Sequence, residues 1–406
     1  MFRRLQNENL RTPTLSRTMK DNQLSLPGIN GGRVTPKAVW EGFDPARLTQ
    51  ARHLAGMTKK DVAAEIGVSP AAVGQYETGS TRPRADLIPR LAEVLDVPIA
   101  FFLAGRPHGK LDSSMAHFRT LRSTSGMQRN RSLGFAEQVW ELTYALEKRV
   151  QLPLVDLPGF AGGEVHPGVE LSLDPLEAAR ELRKYWDLGE GPVRHLVRQM
   201  EARGIVVVTP EPDESAAKTD AFSSGSLPRP LAVLTPNRSD DVYRHRFSAA
   251  HELGHLVLHT VATGDARQER EADMFAAEFL TPRTSLQPLL PSRIDFSQLV
   301  VLRKTWGVSV SSLVYRYREF GLFSDATISR AYQRLNTLEH LPGFSPEPVS
   351  SYPGEQPSML RKAFELAERH ADLTITRLAS ELAWKPSRVR QLLGIADTRP
   401  VLRIVQ

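Results

Sequence analysis

The nine residues Phe247-Ser248-Ala249-Ala250-His251-Glu252-Leu253-Gly254-His255 constrain this chain more than any other stretch. Ala249, Ala250, Leu253, Leu256 and Val257 give the segment the apolar, closely packable body of a buried helix. On a helix, His251 and His255 stack on one face about one turn apart, within ~6 Å of each other. That spacing makes a two-imidazole zinc site. Glu252 is displaced around the helix from the pair, so it can reach a water beside the metal without ligating. Gly254 lets something approach the backbone beside the histidines.

Zinc needs a third protein ligand, and the candidates lie downstream in Glu269-Arg270-Glu271-Ala272-Asp273-Met274-Phe275-Ala276-Ala277-Glu278-Phe279-Leu280. Helical spacing puts Ala272, Phe275, Ala276 and Phe279 on a core face, and Pro282 stops the helix. Glu271 at the edge of that face is the expected third ligand, completing a His2Glu set with the fourth position open. Two rivals stand beside it. Glu269 with Asp273 imitates the glutamate-plus-aspartate spacing of thermolysin-like enzymes. His259 continues the series from His255, but on a straight helix it lies ~9 Å along the axis from the midpoint of the first pair. Leu256-Val257-Leu258 offers no glycine to break the helix, so His259 is expected to pack or to support a ligand. Glu278 is expected to be a solvated helix residue.

Taken together, Arg246-Phe247, His251-Glu252-Leu253-Gly254-His255, Glu271-Ala272 and Phe275-Ala276-Ala277 resemble the ImmA/IrrE metallopeptidases. Asp220-Ala221-Phe222-Ser223 and Arg229-Pro230 upstream are similar to the same family. The resemblance spans roughly residues 171 to 345. It implies an α+β zincin-like domain with a small sheet, Zn2+ on His251, His255 and Glu271, and Glu252 as catalytic base. Where that family ends its second helix with a Leu-Met-Pro-like stop, this chain has Leu280-Thr281-Pro282. The change bears on packing rather than on chemistry.

A second signal lies nearer the start. Thr58 is a good N-cap for Lys59 to Ile66, Gly67 suits a left-handed turn, and Ser69-Pro70 opens a helix that stops at Gly79. Ala63, Gly67 and Val73 then occupy the small, turn and core positions of a helix-turn-helix. Residues Leu48 through Phe102, with Gln75-Tyr76-Glu77-Thr78-Gly79 and Arg82-Pro83, resemble the Xre/Cro repressors. The resemblance implies a lambda-repressor-like domain whose second helix enters the major groove of double-stranded DNA. Ser69, Ala71, Gln75 and Thr78 would face base edges, and Lys59, Lys60 and Arg82 the phosphates. Only Gln75 among them is a strong base reader. A helical bundle used purely for protein contact is the rival reading.

Thr374 to Val389 aligns without gaps on Thr58 to Val73, repeating Thr, Ala, Glu, Pro and Val at matching places. Ala383 stands where Gly67 stands, and Arg388 and Arg390 make the second helix basic. A second helix-turn-helix is expected, although such hairpins also serve as substrate contacts or as the contact of a homodimer.

At 406 residues the chain exceeds one ordinary core, and a mostly α, multidomain protein is expected. The expected divisions are a disordered arm (1–44), a helix-turn-helix domain (45–105), a helical linker (106–170) with a long helix from Gly134 to about Val150, the metallopeptidase domain (171–345), and a C-terminal helix-turn-helix-like segment (346–406). Lys and Arg number 52 against 46 Asp and Glu, a basic balance that tolerates nucleic acid without demanding it. There is no cysteine, which removes disulfides, cysteine zinc fingers and thiol catalysis. No apolar run approaches the ~18 residues of a membrane helix, and the first residues lack the apolar centre of a secretory signal. A soluble cytoplasmic protein without membrane partners is expected.

These parts suggest a DNA-binding regulator whose zinc endopeptidase cleaves a protein, plausibly a helix-turn-helix repressor, as the ImmA/IrrE resemblance implies. The alternatives are a transcription factor whose metal domain senses a ligand or metal without turnover, and a toxin–antitoxin or phage-defence component.

Overall fold

The computed structural model describes residues 34–106, 117–118, 126–160, 169–210, 221–234, 240–259, 265–338, 340–341 and 343–396. Most of the arm expected over 1–44 lies outside them. Its last part is not loose: Thr35 caps helix α1 (Pro36–Glu41), which buries Val39 completely. Helices α2 (Pro45–Ala55), α3 (Lys59–Ile66), α4 (Pro70–Thr78) and α5 (Ile88–Val94) complete the N-terminal cluster. Thr58 and Asp61 form a reciprocal capping box at the start of α3. Gly67 closes α3 in the left-handed region at φ 72°, a conformation glycine adopts without steric cost. Ser69 then accepts from the Ala72 N–H to start α4.

Helix α6 (Gly126–Glu147) is the spine against which this cluster packs. It starts ahead of the expected Gly134 because its first turns are polar and partly exposed, so apolar spacing becomes visible only at Leu133. Glu141 of α6 is buried and receives Arg47 and Gln50 of α2, the latter at 2.8 Å, and Arg106 at 3.4 Å. Burial, with Arg47 alongside, pulls the Arg106 guanidinium down to about 9.

Helices α7 (Pro175–Tyr185) and α8 (Leu196–Ala202) lead into a small sheet of β1 (His117–Phe118), β2 (Val206–Val208), β3 (Phe222–Ser224) and β4 (Leu231–Val233). The order is β1-β3-β4-β2, with β2 parallel to β4 and the other pairs antiparallel. The sheet is the wall between two cores. Val206, Val208, Phe222, Leu231 and Val233 face α6 and the N- and C-terminal helices, whereas Val207 and Ala232 face the core built around the helices that follow the sheet. Side chains alternate faces along a strand, and a strand covered on both sides must be apolar throughout. The run Ile205 to Val208 is apolar for that reason.

Beyond the sheet run α9 (Val242–Leu258), α10 (Ala266–Leu280), the single turn α11 (Arg283–Leu286), α12 (Phe296–Trp306), α13 (Val310–Glu319) and α14 (Asp325–Leu338). Glu278 departs from its expected place on a solvated face. It is 1% exposed, bonded to Arg316 of α13 at 2.6 Å and to Arg180 of α7 at 3.0 Å.

The chain ends in α15 (Met359–Ala371), α16 (Ile375–Leu382) and α17 (Pro386–Leu393). The internal repeat is real in backbone terms. Thr374 caps α16 as Thr58 caps α3, and Ala383 takes the left-handed conformation of Gly67, at φ 53°. The basic second helix is partly committed inward, however. Arg388 bonds Gln138 of α6 at 2.8 Å and lies over the Phe135 ring. No helix among the described residues is long and apolar enough to cross a membrane.

Candidate metal centre and nucleic-acid interface

Asp241 caps α9, and from there the helix runs without interruption to Leu258. Deep burial follows from its sequence: Ala249, Ala250 and Leu253 are fully covered, as are His251 and Glu252, and His255 is 1% exposed. Helix α10 crosses at Gly254, where a Cβ would lie 3.0 Å from the Phe275 ring and 3.3 Å from the Ala272 Cα. The glycine is therefore the contact that lets the two helices close on each other. Arg246 anchors the upstream half of α9. It is buried, pairs with Glu355, and donates to the carbonyls of Val193 at 2.6 Å and Gly307 at 2.8 Å.

This crossing brings one carboxylate of α10 to the two histidines. The Nε2 atoms of His251 and His255 are 3.1 Å apart, and the Glu269 carboxylate lies 3.5 Å from the first and 3.4 Å from the second. Glu271, the expected third ligand, is not in this cluster. Its carboxylate is held by Arg267 at 2.7 Å and by His259 Nε2 at 3.0 Å. Two residues along a helix rotate a side chain by roughly 200°, so Glu269 and Glu271 cannot both face the histidines. Asp273, one turn beyond Glu269, bonds His251 Nδ1 at 2.8 Å, completing the glutamate-plus-aspartate spacing.

The donor set fits zinc. Ligands 2.0–2.1 Å from a tetrahedral centre sit roughly 3.3 Å from one another, close to the three separations here. A carboxylate accepts only, so Asp273 requires the proton of His251 on Nδ1 and leaves its Nε2 lone pair facing the cluster. Burial outweighs the attraction of the Glu269 carboxylate and lowers His255 below the ordinary imidazole range, which favours the neutral, ligating form. Burial opposes ionisation of Glu269 too, but the His251 and His255 imidazoles facing it prevail and hold it at about 2. Along the same helix, Arg244, His245 and Ser248 line a cavity of about 310 Å³ that Ser358 and Arg361 close from the C-terminal side.

Helix α9 ends without a glycine. His259 leaves it as the C-cap in extended conformation, φ −123°, and its Nδ1 returns to within 3.0 Å of His255 Nδ1. It lies against His255, outside the cluster of His251, His255 and Glu269.

On the N-terminal domain, Ser69, Ala71, Gln75 and Thr78 lie together on the exposed side of α4, and Lys60 is exposed nearby. Two of the expected phosphate contacts have internal partners. Lys59 lies 3.3 Å from Glu77, and Arg82 donates to the carbonyls of Glu41 at 3.2 Å and Trp40 at 3.4 Å. Glu77 is also gripped by Arg52 of α2 at 2.5 and 3.1 Å, which fixes α4 against α2. Arg52 does not stand out in sequence, whereas Asp273 is marked by its spacing from Glu269.

Comparison with known proteins agrees with this division. Residues 200–318 match the M78 peptidase family model, the IrrE N-terminal-like domain, and residues 48–102 match a helix-turn-helix family model. An uncharacterized HTH-type transcriptional regulator of Sinorhizobium medicae (strain WSM419) is 25% identical over 96 residues, covering 21% of this chain and 69% of that protein. One of the same description from Rhizobium meliloti (strain 1021) matches equally. The chain joins a repressor-type helix-turn-helix domain to an ImmA/IrrE-type domain of the M78 peptidase family.

Proposed function

We propose that this protein is a DNA-binding transcriptional regulator that carries a zinc-dependent endopeptidase and cuts a partner repressor to release its genes. The observation behind the enzymatic half is the convergence of His251, His255 and Glu269, with buried Glu252 next to the first of them on α9. Zinc held by those three residues supplies Lewis-acid chemistry, making a nearby water more acidic and drawing charge from a peptide carbonyl. Glu252 takes the proton of that water as it attacks the carbonyl carbon, then delivers a proton to the departing amide nitrogen. Asp273 holds the His251 ring in the tautomer that ligates. Closure of α9 on α10 through Gly254 keeps bulk water from the buried side of the site.

The regulatory half rests on the exposed face of α4. Gln75 reads a base edge, with Ser69, Ala71 and Thr78 beside it, while Lys59, Lys60 and Arg82 approach phosphates. Ser69 already uses one lone pair of its oxygen as a cap, which leaves its hydroxyl proton and the other lone pair for a base edge. Work on DNA places the protein in the cytoplasm, alone or as a homodimer.

Glu252→Gln is the test. The variant should keep zinc and fold, and lose ~10²–10⁴-fold in cleavage rate. The partner repressor then stays intact and its genes stay silent under inducing conditions. Normal induction in the variant, with no repressor fragment in either strain, would reject the peptidase and leave a metal-dependent sensor.

A further inference from the structure

We infer that the junction of the N-terminal domain, α6 and the C-terminal helix-turn-helix is a binding site for a small organic anion with a flat apolar body. The site shares no residue with the metal cluster or with the exposed face of α4, and it depends on neither zinc nor DNA.

The internal repeat leads to it. Carried two residues past Val389, the alignment sets Ser387 and Gln391 against Ala71 and Gln75. Those two are exposed on α4. Their counterparts on α17 line a cavity of about 560 Å³ instead. That volume falls within the ~300–1,000 Å³ of sites that take small ligands. The end of α2 at Leu54, the segment Leu95 to Pro98 after α5, helix α6 and the sheet form the other walls.

The lining names the class of ligand. Phe101, Phe135, Phe222 and Trp384 supply aromatic walls, against which a flat body packs well. Arg131, Lys385, Arg388 and Arg390 bring cationic side chains to the lining, and the one acidic side chain there, Asp96, is paired with Lys385. Arg388 is held by Gln138 at 2.8 Å and by Gln391, over the Phe135 ring. Arg390 is half-buried, and its guanidinium has no acceptor among the described residues. Partial burial strengthens attraction that water would otherwise screen, and the guanidinium fork matches the oxygens of a carboxylate or phosphate. In the same wall the buried indole N–H of Trp384 has no acceptor among the described residues, although buried polar groups are nearly always hydrogen-bonded. An anionic head beside Arg390 and a flat body among the rings uses both properties of the lining. Such a ligand touches the N-terminal domain through Leu54 and Val97 and the C-terminal segment through α17, so its binding clamps the two together.

The test titrates the full-length protein with two fluorescent dyes of similar body, anilinonaphthalene sulfonate, which is anionic, and phenylnaphthylamine, which is not. Wild type should bind the anionic dye ~10-fold or more tighter, the size of one hydrogen bond to a charged group. Arg390→Gln should remove that advantage and leave the uncharged dye as it was, and Arg390→Lys should recover most of it. Val97→Trp, which fills the cavity from the N-terminal side, should weaken both dyes; should it fail to fold, the Arg390 pair carries the test alone. Adenosine monophosphate and 2-naphthoate are then set to displace the anionic dye. Displacement by the first assigns a phosphate head, by the second a carboxylate. Anionic-dye binding unchanged in Arg390→Gln, equal loss of both dyes in that variant, or displacement by neither competitor overturns the site.

Discussion

Replacing Glu269 by Gln tests the geometry of the metal centre most directly. Its carboxylate lies within 3.5 Å of both His251 Nε2 and His255 Nε2. The substitution keeps shape and burial and removes the charge. Structural zinc sites with four ligands bind with about 10–16 kcal/mol, or roughly 3 kcal/mol per ligand. Loss of an anionic ligand should therefore weaken zinc by at least about a hundredfold, each 1.4 kcal/mol being a factor of ten. Glu271→Gln disturbs only the far end of the hydrogen-bonded chain through His259, and should weaken zinc about tenfold, the low end for groups behind a ligand. Competition against a chromogenic chelator, with both variants matched to wild type in circular dichroism, measures the two losses on one scale. If Glu271→Gln proves as damaging as Glu269→Gln, the third ligand is Glu271 and the observed crossing of α9 and α10 is wrong.

Three other perturbations probe the parts that hold the site and the DNA-binding face. Glu141→Gln leaves the buried guanidiniums of Arg47 and Arg106 without their anion, and should cost about 3–5 kcal/mol of stability, read as a lowered midpoint in urea; a loss under 1 kcal/mol would show that the network is already solvated. Gly254→Ala places a methyl 3.0 Å from Phe275 and 3.3 Å from the α10 backbone, so it should cost roughly 1–3 kcal/mol and weaken zinc together with stability; normal zinc binding would mean that the helices tolerate a wider crossing. Gln75→Ala should reduce discrimination between operator and random duplex more than it reduces general affinity, whereas Lys60→Ala should weaken all duplexes evenly and lower the salt slope by about 1. Equal losses on operator and random DNA in Gln75→Ala would remove it as a base reader.

What the sequence revealed divides along a physical line. Features fixed within a few residues were legible. The i, i+4 spacing of His251 and His255 placed them on one helical face, and Thr58, Gly67, Ser69 and Pro70 marked the turn between α3 and α4 at its observed position. The gapless echo of that turn at Thr374 to Val389 put Ala383 in the place of the turn glycine, and there alanine takes the left-handed conformation and bears strain that glycine would not.

Features fixed between elements were not legible, and Glu269 against Glu271 is the sharpest case. Periodicity put Ala272, Phe275, Ala276 and Phe279 on the core face of α10, and they are buried there, but a core stripe has two flanks with a glutamate on each. Which flank meets the histidines depends on how α10 rolls as it lies across α9, and that roll is set by Ala272 and Phe275 seating on Gly254. The glycine announced a close approach without naming what approaches. Glu278 was misplaced for the same reason, since its partner Arg316 arrives from a helix 38 residues away. The basic character of α17 likewise says nothing of Phe135 and Gln138 in α6, which take up Arg388. Short motifs therefore marked the candidate residues of this chain, while the surroundings of each charged group came from helix crossings that no local spacing encodes.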